Sequence, residues 1–198
     1  METFYLILTS VTWGVVHSWL AAHTTKATAA RLFGAHRVNR WYRLAYNVFS
    51  ALTFLPILLM LILLPDQPFY TVPVPWAVGF IAVQVLGAIL LIVGVLQTDT
   101  LSFIGLRQLI QDPDTIPSAL ITHGLYRYVR HPLYTAGLMM LWFTPQVSRN
   151  LFTVFVVFTL YLIIGAIFEE RKLLRKFGQD YANYRARTPM LIPFLRLP

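Results

Sequence analysis

Apolar residues in this chain gather into runs long enough, or nearly so, to cross a bilayer, with the polar residues between them. Residues 4–22 form the first run, and His17 and Ser18 interrupt it. Residues 41–64 form the second, ~36 Å long as a helix at 1.5 Å per residue, enough to cross with some tilt. Pro56 lies inside it, where a bundle tolerates a kink. Residues 76–96 form the third, with Gly79, Gly87 and Gly94 spaced for close helix contact and Gln84 expected to bond to another helix. Residues 133–145 are apolar but short, extending at most to Val147 before a turn at Ser148-Arg149-Asn150. Residues 151–168 form the last long run. The final two runs read as a tilted helical hairpin whose first arm need not span fully. The pattern therefore predicts an all-α fold: a polytopic membrane helix bundle of about five transmembrane segments, closed by that hairpin and an amphipathic tail. In the tail, Leu173, Leu174 and Phe177 share one stripe and Gly178 is the expected stop.

The connectors differ in character. Residues 23–43 carry Lys26, Arg31, Arg37, Arg40 and Arg43 with no acid, and residues 27–33 suit a short interfacial helix. Residues 65–75 are proline-rich. Residues 97–132 make the longest polar connector, with turn chemistry at Asp112-Pro113-Asp114 and Pro117. A connector of that length is functional or disordered, and the aromatic and basic residues at 123–134 favour function.

Composition agrees with the pattern: 57% of the 198 residues are apolar and only 12% charged, against about 25% charged in a soluble domain. The chain has no cysteine, which excludes disulfides, thiolate metal sites and a cysteine nucleophile. The N-terminus lacks a basic region and a small-residue cleavage site, so it reads as a retained helix. The net charge of +8 does not point to nucleic acid, because the basic residues cluster at the ends of apolar runs. With five spans, Arg149 is the one Lys/Arg on the far side. The positive-inside rule then places the N-terminus outside and the C-terminus in the cytoplasm, most simply in a bacterial inner membrane.

The candidate chemistry lies at the two ends of the predicted hairpin. Gly124-Leu125-Tyr126-Arg127-Tyr128-Val129-Arg130-His131-Pro132-Leu133-Tyr134 precedes its first arm, and Glu169-Glu170 follows its second. Folding the hairpin would bring Arg130, His131 and Tyr134 beside Glu169 and Glu170. No P-loop, dinucleotide fingerprint or His-x-x-His pair is present. His123 and His131 lack an evident third metal ligand unless a carboxylate supplies one, so a metal site is the weaker reading and none is expected. A zwitterionic ligand with a flat ring fits better. Arg130 can fork onto a carboxylate, Glu169 or Glu170 can pair with an ammonium, and Tyr126, Tyr128 and Tyr134 can stack on a ring. A sulfonium could rest against an aromatic face. S-adenosylmethionine combines all these groups. Singly, these residues would be interfacial anchors, and His17 a packing histidine. Their convergence is what argues for a site.

Gly124-x-Tyr126-x-x-x-Arg130-His131-Pro132-x-Tyr134, then Gly137, then Glu169-Glu170, with Phe177-Gly178-x-x-Tyr181-x-x-Tyr184 and Pro189, resembles the isoprenylcysteine carboxyl methyltransferase and phospholipid methyltransferase superfamily of membrane enzymes. The resemblance covers roughly residues 97–195. His17-Ser18-x-Leu20-Ala21, Lys26, Tyr42-Arg43-x-x-Tyr46-Asn47, Gln97-Thr98-Asp99 and Phe103-x-Gly105-Leu106-Arg107-Gln108 look like its methanethiol S-methyltransferase branch. The resemblance implies an S-adenosylmethionine-dependent enzyme in a single membrane domain, with residues 1–96 as a three-span scaffold on the substrate side and 97–198 holding the cofactor. It implies cofactor contacts at His123, Gly124, Tyr126, Arg130, His131, Pro132, Tyr134, Gly137, Glu169 and Glu170. The expected partners are membrane lipids and a small thiol acceptor. A thiol must lose its proton, so His131, His17 or a tyrosine would assist, or Arg107, Arg43 or Arg130 would stabilise charge. A prenylcysteine carboxylate or phospholipid amine as acceptor, and a non-catalytic membrane scaffold, are the competing readings.

Overall fold

The computed structural model describes residues 2–112, 115 and 119–195. The turn expected at Pro113, Asp114 and Pro117 lies outside the described residues. The chain forms two compact units, Met1–Pro65 with Asp99–Ser118, and Asp66–Thr98 with Ala119–Pro198.

In the first unit, α1 (Glu2–Leu20) is followed by α2 (His23–Phe33), bent from it by 61°, and by α3 (Ala35–Leu63). Gly34, at φ +88°, separates α2 from α3, a backbone angle that glycine adopts without steric cost. Aromatic contacts join α1 to α3. The Trp13 indole donates to the Ser50 carbonyl at 3.1 Å and packs edge-on to Phe54, and Tyr42 donates to the Leu20 carbonyl at 2.6 Å. The long connector is partly helical here, with α5 (Thr100–Ile104) capped by Asp99 and α6 (Arg107–Ile110) after Gly105. Gly105 is at φ +99°, and a Cβ on it would lie 2.6 Å from the Leu44 amide nitrogen. Asn47 closes the same contact by donating to the carbonyls of Phe103 and Ile104.

The second unit contains α4 (Trp76–Gln97), α7 (Pro132–Trp142) and α8 (Arg149–Arg187), the last broken at Gly178 (φ +53°). The expected stop at Gly178 is thus a break, after which the helix resumes to Arg187. The amphipathic tail expected from Glu169 continues the apolar arm in one helix up to that break. The helix α7 packs most extensively on α4. Gly87 and Gly94 allow it: a Cβ on Gly87 would sit 3.1 Å from the Ala136 carbonyl oxygen, and one on Gly94 2.7 Å from a Leu133 methyl. A Cβ on Gly79 would meet nothing within 4 Å among the described residues. Gln84 donates to the Met140 carbonyl and the Thr144 hydroxyl, both at 2.9 Å, the interhelical bond its sequence position predicts.

Among the described residues, three helices, α3, α4 and α8, are long and apolar enough to cross a membrane, giving three spans, or four if α1 and α2 form one broken span. The chain is an integral membrane protein. The arm at 133–145 is an eleven-residue helix, ~16 Å long, too short to span alone. A small antiparallel ribbon that the helical pattern gives no hint of pairs β1 (Pro68–Thr71) with β2 (Gln146–Ser148). Asp66 fastens it by accepting from the amides of Gln67 and Asn150. Burial alone would raise the Asp66 carboxyl, but the Ser148 hydroxyl and these amides, with that of Arg149, outweigh it and hold it below its usual range.

Candidate functional site

The site lies in the second unit, where the start of α7 meets α8 on both sides of its break. Gly124 opens a 3-10 turn, Gly124–Arg127, at φ +61°. A Cβ there would overlap the Gln97 amide, whose oxygen accepts from the Leu125 N–H at 2.8 Å. Only glycine satisfies both the angle and the contact. The turn is tied to the second segment of α8 by Tyr184, which donates to the Tyr126 carbonyl at 2.6 Å. Burial, with the Glu169 charge added, pushes the Tyr126 phenol up to about 12.

The next residues are held by the chain beyond α8. The amides of Arg130 and His131 donate to the carbonyls of Pro189 (2.9 Å) and Met190 (3.1 Å), and the Thr135 hydroxyl donates to that of Leu191 (2.6 Å). Pro132 then begins α7 at a position where its missing N–H is not needed. These ties fix the Arg130 and His131 side chains against Glu170 of α8.

Glu170 is 5% exposed and His131 likewise 5%. One carboxylate oxygen of Glu170 accepts from Arg130 Nε at 2.6 Å and lies 3.2 Å from His131 Nε2. The other is 3.5 Å from Arg185 Nε. Arg130 Nη1 also donates to the carbonyls of Thr188 and Arg185. The Tyr134 hydroxyl donates to Glu169 Oε2 at 2.8 Å, and His131 Nδ1 is 3.6 Å from the same oxygen. The rings of His131 and Tyr134 stack with centroids 5.3 Å apart. Arg130, His131, Tyr134, Glu169 and Glu170 therefore form one network, as the hairpin reading requires.

A cavity of about 760 Å³ opens beside this network, lined by Arg130, Glu170, Arg171, Arg185, Thr188, Met190 and apolar residues including Ile167 and Leu174. Its size falls within the range of about 300–1,000 Å³ that small-molecule sites occupy. A second cavity, about 560 Å³ and almost wholly apolar, lies between α7 and α8. Leu138, Met139, Trp142 and Ile163 line it, with Leu191 and Ile192 closing one side. The hairpin is thus splayed and hollow rather than closed along its length.

The other sequence candidates fall elsewhere. His123 is exposed and contributes its carbonyl, which accepts from the Tyr126 amide. Gly137 faces α8 near Leu162, away from the polar cavity. His17, Arg43 and Arg107 belong to the first unit. There His17 stacks on Trp13 and bonds to the Tyr46 hydroxyl. Arg107 lies 3.1 Å from Asp99, and the charge of Arg43 acts on the same carboxylate. Residues outside the candidate set also shape the site: Gln97, Tyr181, Tyr184, Arg185 and the carbonyls of 188–191. The Tyr181-x-x-Tyr184 spacing after Gly178 was the available signal for the return of the chain.

A sequence model of the phospholipid methyltransferase family matches residues 82–180, from α4 to just beyond the Gly178 break. The chain is 32% identical over 119 residues to the methanethiol S-methyltransferase of Crocosphaera subtropica, covering 59% of this chain and 47% of that protein. It is 30% identical over 123 residues to methanethiol S-methyltransferase 1 of Bradyrhizobium diazoefficiens, covering 61% and 43%. It is 31% identical over 130 residues to the methanethiol S-methyltransferase of a Pseudomonas species, covering 64% and 50%. The chain spans about half the length of these relatives or less. No solved structure matches it.

Proposed function

Because the chain belongs to the phospholipid methyltransferase family, we propose that the cavity beside Arg130 and Glu170 binds S-adenosylmethionine and that the protein methylates a small thiol, methanethiol giving dimethyl sulfide. The observation that carries this is a guanidinium and a carboxylate, Arg130 and Glu170, sharing the wall of one cavity of about 760 Å³. Their charges complement the carboxylate and ammonium of an amino-acid group. The names of the curated relatives support the thiol.

In this reading Arg130 forks onto the carboxylate and Glu170 pairs with the ammonium. His131 is buried behind Glu170 and positions it, while Tyr134 holds Glu169. S-adenosylmethionine supplies a methyl group already activated by its sulfonium, so the protein's task is to align the reactants and exclude water. A thiolate meeting a sulfonium neutralises charge, which a dry apolar wall favours. Within the second unit, His131 is the group to which we assign the thiol proton. The C-terminus is cytoplasmic in this reading. Single cysteines placed in this cysteine-free chain would test that by labelling from each side of the membrane.

The test is calorimetric titration of S-adenosylmethionine into detergent-purified protein, followed by headspace measurement of dimethyl sulfide with methanethiol added. Saturable binding and product formation are expected. Folded protein that binds no S-adenosylmethionine would overturn the reading in favour of a membrane scaffold. The apolar cavity of about 560 Å³ supports a second reading, because a one-carbon thiol fills little of it. An acceptor with an apolar tail, such as a lipid amine or prenylcysteine, would be methylated faster than methanethiol if that cavity holds the acceptor.

A further inference from the structure

One buried polar group takes no part in the network. Tyr181, on the helical segment after the Gly178 break, is 1% exposed, and its hydroxyl has no hydrogen-bond partner among the described residues. Its ring meets that of Tyr184 edge-on at 5.9 Å. Ala182, its neighbour, and Arg185, one turn on, line the polar cavity. Burial acts most strongly on its phenol, followed by the charges of Glu170, Arg130, Tyr184 and Glu169 in that order. A buried hydroxyl without a partner is uncommon and costly, and such a group calls for a specific explanation.

Glu170 suggests one. Its Oε1 faces both Arg130 and His131, and its Oε2 faces Arg185. A ligand carboxylate that draws the Arg130 guanidinium toward itself vacates an acceptor position on Glu170. We propose that Tyr181 is a positioning residue for the ligand-bound state. As Arg130 turns to the ligand carboxylate, the Tyr181 hydroxyl donates to the Glu170 oxygen that Arg130 leaves, keeping Glu170 directed at the ligand ammonium. Only hydrogen bonds are exchanged, and no proton is transferred. The inference rests on the S-adenosylmethionine reading and adds a reserved donor to it.

The experiment compares wild type, Tyr181→Phe, Glu170→Asp and the double variant, by calorimetric titration with S-adenosylmethionine and by thermal unfolding without it. Without ligand, Tyr181→Phe unfolds no earlier than wild type, because the deleted hydroxyl had no partner to lose. With ligand, its Kd rises about tenfold, or about 1.4 kcal/mol. In the Glu170→Asp background the shortened carboxylate no longer reaches the hydroxyl, so the same deletion changes Kd less than twofold. Earlier unfolding of ligand-free Tyr181→Phe would overturn the proposal, as would an unchanged Kd or an equal tenfold loss in the Glu170→Asp background. Wild type that binds no S-adenosylmethionine would remove the cofactor reading and this inference with it, whereas binding wild type with an indifferent Tyr181→Phe would remove the inference alone.

Discussion

The two units each contain an arginine–carboxylate pair, and the pairs differ in nearly everything but their chemistry. Arg130 and Glu170 are 2.6 Å apart with side chains 10% and 7% exposed. Arg107 and Asp99 are 3.1 Å apart with side chains 37% and 34% exposed. The first pair is braced by His131, Arg185 and the carbonyls of two residues. The second is tied locally, through the Ser102 hydroxyl and amide at the start of α5. Removing water strengthens attraction but also makes every unmet hydrogen bond expensive. A buried pair is therefore hard to alter piecemeal and well suited to meet a ligand that carries both charges. An exposed pair in water is worth little and does little more than trim a helix end.

The comparison breaks most directly at Arg130. Arg130→Ala leaves Glu170 buried with its closest partner gone, and we expect a loss of about 3–5 kcal/mol of stability in detergent unfolding, with S-adenosylmethionine binding abolished. Replacing both members by methionine removes the stranded charge and should recover most of that stability but none of the binding. A double variant as unstable as Arg130→Ala would mean that the pair's desolvation is not the governing cost. A backbone change in the other unit comes next. Gly105→Ala would place a Cβ against the Leu44 amide at a left-handed angle and should cost about 2 kcal/mol, with no direct effect on the Arg130 network. Tyr184→Phe removes one part-buried bond to the Tyr126 carbonyl and should cost about 1 kcal/mol while weakening ligand affinity through the loosened 3-10 turn.

Much of the Arg130 network was legible beforehand, because two apolar runs with polar ends leave few ways to arrange those ends. The pairing of Arg130 and His131 with Glu170 follows from that geometry. What the pattern could not convey is the return of the chain after Gly178. Arg185, Thr188 and Met190 reach the site through a non-helical glycine and backbone bonds to Arg130 and His131, and hydropathy carries no record of main-chain pairing. The β1–β2 ribbon escaped for the same reason: its proline-bounded residues show neither alternation nor length. Gly79 shows the opposite error, since it shares the spacing of Gly87 and Gly94 but faces no neighbour among the described residues. The hollow between α7 and α8 was invisible too, because apolar residues lining a cavity read like apolar residues filling one.

The smallest effect belongs to the exposed pair, and it separates the pair from the helix cap that shares its carboxylate. The Ser102 hydroxyl first, then the Ser102 amide and the charges of Arg107 and Arg43, together outweigh the opposing effect of burial and hold the Asp99 carboxyl below its ordinary range. A depressed folded-state value means that this contribution is fully present above the unfolded carboxyl value of about 4. It is lost as pH falls through the lower folded value. Arg107→Gln should change stability by under about 1 kcal/mol at neutral pH and less still at high salt. Asp99→Ala should cost about 1 kcal/mol through the lost cap and flatten the stability curve below about pH 4. If Arg107→Gln instead cost as much as Arg130→Ala, burial would not be what distinguishes the two pairs, and the first unit would hold a network as demanding as the second.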